Sequence, residues 1–459
     1  MSGLFGMLST TARSLESQRY GLDAAGQNIA NINTPGYSRR VVDFGAVPPT
    51  SERLNAGNGV EVLGVRRLRD RFFDRRLFQE NPAQHRETAL AEALGVVESS
   101  LGSPDATLNA RLNQFFDGFS GLAQAPTSST ARADVLAKGQ ALVGEIRATD
   151  GRFQQAQLDA DRRIRANVDE INSLANRLAS LNDRIANSDE SGTMTLRDEQ
   201  NEVVKTLSSY VDIETIDLPN GTVQVSFGRG KPLVIADVAY AVTIQNEPTT
   251  GFARLYSGVT DVTAAIGGGT VAGLIAARDV NIPGYRAELD TLAYEVVQQV
   301  NTLHDAGFTL GGVDAPPFFQ PLATVAGAAS QIALDPTVAA NASLIAAGSV
   351  AGTPGDNGTA RALAALRDAR VLSGNSATFT AFYTDLVYDV GQDRSVAVSE
   401  GAVRAEVVQQ IENLRDGVSG VSLDEEAASM MRFQRAYEAS ARFFTTINET
   451  LDVLMSLGR

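Results

Sequence analysis

The chain has 459 residues, no cysteine, and only two histidines, His85 and His304. Without cysteine there is no disulfide framework and no thiolate metal site, and the absence fits a reducing or an oxidising compartment equally. Two histidines far apart leave zinc only carboxylate partners, so no metal is expected, and both read as ordinary helix residues. No apolar run approaches the ~20 residues of a membrane span. The N-terminus also lacks the basic start, apolar core and small-residue cleavage site of a secretory signal. The formal net charge of −15 argues against nucleic acid or an anionic membrane as the main partner. Neither Gly-x-Ser-x-Gly nor His-Glu-x-x-His occurs. Gly228-Arg229-Gly230-Lys231-Pro232 lacks the earlier glycine and the hydroxyl residue of a phosphate loop, and reads as a turn between strands. Neither catalytic residues nor a cofactor is expected.

What is present lies mostly at the two ends. Leu8, Leu15, Leu22 and Ile29 recur every seven residues, with Leu4, Thr11, Gln18, Ala25 and Ile32 between them. Met430, Tyr437, Phe444 and Leu451 recur likewise, with Ala427, Gln434, Ala441, Asn448 and Met455 between. This is coiled-coil spacing, and helices of about 43 and 48 Å follow from the rise per residue. Asn33-Thr34-Pro35-Gly36-Tyr37 ends the first helix, with Gly36 expected at positive φ. Ser422-x-x-Glu425 reads as a capping box that opens the last helix. The first helix is weakened by glycines and by polar Thr11 and Gln18. The last carries a second stripe of Phe433, Ile447 and Leu454, wider than one partner helix covers. Such helices are expected to order only when partners bury their faces.

Asn28-Ile29-Ala30-Asn31-Ile32-Asn33-Thr34-Pro35-Gly36-Tyr37-Ser38-Arg39 resembles the signature of bacterial flagellar axial proteins. Gly420 to Ala427 and Gln434 to Ala441 resemble their closing helix. The Thr-Pro-Gly-Tyr-Ser-Arg form and the long insert between the ends point to the hook-associated protein 1 (FlgK) family. Arg40 stands where that family often has glutamine. The resemblance covers about the first and last 40 residues. It implies a discontinuous axial protein, mainly α with an inserted β domain, whose terminal helices pair as a coiled coil. It also implies a structural subunit of the hook–filament junction, secreted by the flagellar type III route and not an enzyme. Implied partners are other copies of itself, the hook protein, the second junction protein, and a cytoplasmic export chaperone on the C-terminal helix. The assembly interface is assigned to Leu8, Leu15, Leu22, Ile29, Asn31, Asn33, Thr34, Pro35, Gly36, Tyr37, Met430, Tyr437, Phe444 and Leu451. A hook or distal-rod protein is the alternative, and an exported enzyme on a helical scaffold a remote one.

Between the ends, 41–64 reads as an extended connector with a short strand at Val60–Leu63. Arg66 to Arg76 reads as an amphipathic helix burying Leu68, Phe72, Phe73 and Leu77, its arginines solvated or paired. Helices are expected at Asn113–Ala123, Ala131–Ala148 and Arg152–Asn187. The last presents Ile164, Val168, Ile171, Ala175, Leu178, Asn182 and Ile185 on one face. A helix at Leu196–Tyr210 follows. Residues 211–270 read as an inserted β domain, opening with a hairpin about Pro219-Asn220-Gly221 and closing at a flexible Gly267-Gly268-Gly269. Helices return at Val271–Ala277, Tyr285–His304, Ala360–Leu366, Phe379–Val390 and Ser395–Arg415. The expected domains are thus 1–40 with 420–459, the helical domain 65–210 with 271–310 and 356–419, the β insert, and a loop or small subdomain at 311–355.

Overall fold

A computed structural model describes residues 2–48, 59–101, 107–188 and 190–457. Helix α1 (Ser2–Ala30) leads into an antiparallel hairpin, β1 (Arg40–Ala46) and β2 (Val60–Arg67), with a bulge at Asp43/Phe44. Where an extended connector was expected, the described residues pair as strands; 49–58 lie outside the described residues. Strand β2 then takes over the start of the basic stretch, and α2 (Arg71–Ser100) begins only after Asp70, whose carboxylate accepts the Phe72 N–H. Leu77 is buried as expected, but Phe72 is 69% exposed and Phe78 is buried instead. Most of the arginines pair with acidic groups, among them Arg66 with Asp43 and Arg76 with Glu80, while Arg75 is exposed.

Helix α3 (Leu108–Gln124) is followed by α4 (Ser129–Ala186), a single helix of 58 residues capped by Ser128. The sequence suggested a break near Gly151. The chain runs straight through it, and Asp150 there holds Arg286 at 2.8 Å. All seven residues of the expected packing face on α4 are buried. Helix α5 (Glu190–Tyr210) precedes two small sheets. One holds β3 (Ile213–Asp217), β4 (Val223–Phe227), β5 (Lys231–Ile235) and β6 (Val238–Ala239) in that order; the other holds β7 (Val242–Asn246), β8 (Ala253–Ser257) and β9 (Thr260–Asp261). Asn182 on α4 ties the first sheet down by accepting from Val223 N–H and donating to the carbonyls of Val223 and Ala236.

The glycine run that closes the β region is packed, not loose. A Cβ on Gly268 would lie 2.8 Å from Pro82, and Gly269, at φ +79°, sits against the Tyr210–Val211 backbone. Helix α6 (Gly269–Ala276) continues through one π-turn, Ala277–Asn281, into α7 (Ile282–Asp305), so two expected helices are one. Residues 311–355 fold back with α8 (Ala328–Gln331) and α9 (Pro336–Ala340), then α10 (Gly358–Ala365) follows. Phe318 and Phe319 from this segment are fully buried against Phe115 and Phe119 of α3. Helix α11 (Phe379–Ser419) merges two expected helices and packs along α2, and α12 (Leu423–Leu457) returns along α1.

Two cores result. One gathers the end of α2, α3, the first part of α4, α7, residues 318–347, α10 and the start of α11. The other gathers the second part of α4 from Ala160 to Ile185 with α5, α6 and the sheets. The fold is mainly α with a small inserted β region, and its terminal helices pair.

Candidate assembly interface at the paired termini

The turn after α1 is fixed by the asparagine that ends its buried face. Asn28, 1% exposed, donates to Arg40 O (2.9 Å) and to Glu426 Oε2 (3.0 Å). Its Oδ1 accepts from Tyr37 Oη (2.9 Å) and Arg40 N (2.8 Å). One side chain thereby joins α1, the turn, β1 and α12. Glu426, also buried, receives Arg39 Nε at 2.7 Å. Glu425, expected to cap its own helix, takes Arg39 Nη1 at 3.0 Å. Burial raises the Tyr37 phenol above its usual range, with Arg40 opposing, so it stays a neutral donor to Asn28.

Gly36 has φ +76°, as the turn requires, and a Cβ there would come within 3.2 Å of Glu202 Oε2 on α5. Nearby, Arg67 of β2 holds Asp198 of α5 at 2.8 Å. Asn33, Thr34 and Pro35 are exposed, while Asn31 donates to Gln27 O and accepts from Thr34 Oγ1.

The two helices meet on a seam that keeps Thr11 and Ala25 of the sequence heptads and otherwise sits one residue before them. On α1 the buried residues are Thr11, Ser17, Gly21, Ala25 and Asn28. A Cβ on Gly21 would lie 2.7 Å from the Phe433 ring, and Ser14 hydrogen-bonds Ser440 at 3.1 Å. On α12 the facing residues are Glu426, Phe433, Ser440 and Ile447, the last 4% exposed. Phe433 also meets Phe44 of the hairpin, ring centroids 6.2 Å apart. Leu8, Leu15, Leu22, Ile29, Phe444 and Leu451 are therefore only half-buried, and Met430 and Tyr437 are exposed. The small face of α1 admits close approach, and the leucine face is left at the side.

What remains outside is strongly apolar. Phe5, Met7, Met431, Phe443, Val453 and Met455 are each more than half exposed. Asn28 and Arg39 stand in the turn motif, yet their role as the hub depends on Glu426, nearly 400 residues away. Among the described residues no cluster of three or more His, Asp or Glu side chains could hold a metal ion. Among them, too, no helix is long and apolar enough to cross a membrane. Gly228–Lys231 forms the turn between β4 and β5, with Arg229 at φ +65°.

Residues 94–319 match the family "Flagellar hook-associated protein FlgK helical domain", and residues 417–457 match "Flagellar basal body rod FlgEFG protein C-terminal". Flagellar hook-associated protein 1 of Bacillus subtilis is 27% identical, the match covering 99% of each chain. That of Escherichia coli is 25% identical over 98% of this chain and 99% of its own. The structure of the flagellar hook junction protein FlgK from Burkholderia pseudomallei superposes with a TM-score of 0.68. That match has 15% identity and covers 75% of this chain and all of the other. The chain belongs to the flagellar hook-associated protein 1 (FlgK) family, structural proteins of the bacterial flagellum.

Proposed function

We propose that the chain is the adaptor between hook and filament, polymerising on the hook tip through its terminal helices. The observation that carries this reading is the apolar surface left on α12 after it has paired with α1. Met431, Phe443 and Val453 are more than half exposed although α12 is paired with α1, and helices with that much exposed apolar area await further partners. The assigned set supports the same surface: Met430 and Tyr437 are exposed, and Leu8, Leu15, Leu22, Ile29, Phe444 and Leu451 are partly exposed. The exposed Asn33-Thr34-Pro35 turn adds a rigid corner held by Gly36, Tyr37 and Asn31.

Neighbours are other copies of the chain, the hook protein below and the second junction protein above. The chain travels through the flagellar export channel, its C-terminal helix held by a cytoplasmic chaperone until then. A structural role, not an enzymatic one, goes with this family. The test is a micrograph of a deletion strain: bare hooks with filament subunits leaking into the medium support the adaptor. The match of 417–457 to rod proteins favours one other reading, a hook or distal-rod subunit. Loss of the hook itself would establish that one instead.

A further inference from the structure

Where β2 gives way to α2, five guanidiniums converge. Arg67, Arg69, Arg71 and Arg75 come from one stretch and Arg197 from α5; with the β3–β4 turn they line a cleft of about 410 Å³. Three carboxylates answer them. Asp198 holds Arg67 at 2.8 Å, Asp74 pairs with Arg69, and Asp217 lies 3.6 Å from an Arg71 that is 75% exposed. Arg75 and Arg197 have no carboxylate partner among the described residues. Arg197 Nε is buried with no hydrogen-bond partner among them, and its guanidinium lies where a Cβ on Gly221 would collide with it. Gly221 itself has φ +84°. A glycine turn thus makes room for an arginine whose Nε–H is buried and unused, and an unused buried donor is costly to keep. The cleft is a positive concavity on a chain of net charge −15.

We propose that this cleft docks carboxylates from the acidic surface of a second copy of the chain, making a contact between subunits beside the terminal pair. The proposal rests on the self-assembly in the reading above. Planar guanidiniums match carboxylates in paired hydrogen bonds, which favours side-chain carboxylates over a diffuse charge. An acidic chain offers such groups on every copy. A contact between two different patches of identical subunits runs head to tail and builds a ring or an open helix, as a tubular assembly requires. The cleft also shares Arg69, Asp74 and Asn201 with the small cavity lined by Gly36, Tyr37 and Gly420. It is therefore continuous with the junction that carries the terminal helices.

The test uses the full chain in flagella of a complemented deletion strain, with a benzophenone photo-cross-linker at Ile216, an exposed residue of the cleft rim. The expected product on irradiation is a covalent dimer of this chain, mapped to an acidic segment. Arg71→Glu with Arg75→Glu should lower its yield about tenfold, and the two lysine substitutions should keep most of it, because charge at a docking site sets the encounter. Both arginines are exposed, so the purified variants should melt as the wild type does; an unfolded reversal variant is replaced by the double alanine, with the same expected loss of yield. Filaments attached normally but with no dimer, a cross-link to a different protein, or a dimer indifferent to charge reversal would overturn the cleft proposal and leave the adaptor reading standing. If the chain is absent from the flagella, the adaptor reading fails and this inference falls with it.

Discussion

The middle of the chain and its two ends are both built from long helices, but they bury different kinds of residue. In the middle, Phe115, Phe116, Phe119, Phe318 and Phe319 interlock with no exposed surface to speak of. At the ends, α1 offers α12 a hydroxyl, glycine and alanine face, and among the described residues of α12 Ile447 is the one apolar side chain that is buried outright. The larger apolar groups of the ends face outward. A core of the first kind stabilises itself. A pair of the second kind is held in place by the Asn28 hub and leaves its hydrophobic surface for something else to cover.

That contrast can be broken in four places. The largest effect is expected in the middle: Phe115→Ala should lower the stability of the purified chain by about 3–5 kcal/mol, read as a fall in melting temperature. A comparable change should follow from acid. His304 is buried; its Nδ1 lies 2.7 Å from Pro316 O and its Nε2 accepts from Ala346 N–H. Burial lowers its pKa to about 4. A neutral folded histidine contributes stability that is complete above its unfolded value near 6.5 and is lost as pH falls from there towards 4, at most about 3 kcal/mol. Melts between pH 7 and 4 should therefore fall more steeply in the wild type than in His304→Phe.

At the ends, the effects should be local. Asn28→Ala removes four hydrogen bonds, those to Glu426 Oε2, Tyr37 Oη and the N–H and carbonyl of Arg40, a loss of about 2–3 kcal/mol confined to the junction. Faster amide exchange across Gln27–Arg40 and Val421–Ala427 with an unchanged main melt is the expected result. Gly36→Val forces a β-branched residue to φ +76° beside Glu202, a strain of about 1–3 kcal/mol. It should impair filament attachment while the middle stays folded; normal swimming would mark the turn as tolerant.

Much of this was legible in the sequence, and the misses share a physical form. The terminal pair, the turn, the buried face of α4 and the β3–β4 hairpin each follow from a short-range pattern. The heptads located both terminal helices and two buried residues of the α1 seam, Thr11 and Ala25, but set the rest of the seam one residue late, because apolar spacing marks where hydrophobic groups lie, and here the small residues make the contact. The hairpin of 40–67 was hidden by the separation of its strands in sequence. The order of 311–355 escaped because single polar side chains outside the segment hold it by their hydrogen bonds. Asn301 brackets Phe319 with two bonds at 2.9 Å, Asp290 accepts from Gly327 and Ala329, and Asp356 gathers Ser349, Val350 and Gly358. Asp356 is held at a pKa of about 2 by those same N–H groups. No periodicity carries such information. Pairing of Asn28 with Glu426 is the same case at the site itself.

The claim on which the account turns is that the outer face of the terminal pair belongs to neighbouring subunits. Tyr437 tests it most directly, since it lies midway along α12 and is 39% exposed beside a buried seam it does not join. Tyr437→Asp should leave the melt of the purified monomer within about 0.5 kcal/mol of wild type, as for surface positions generally. In the complemented deletion strain it should abolish incorporation at the hook tip, with unpolymerised filament subunits in the medium. A monomer that melts much earlier yet still carries filaments would contradict the account, placing this face in the fold of the chain itself.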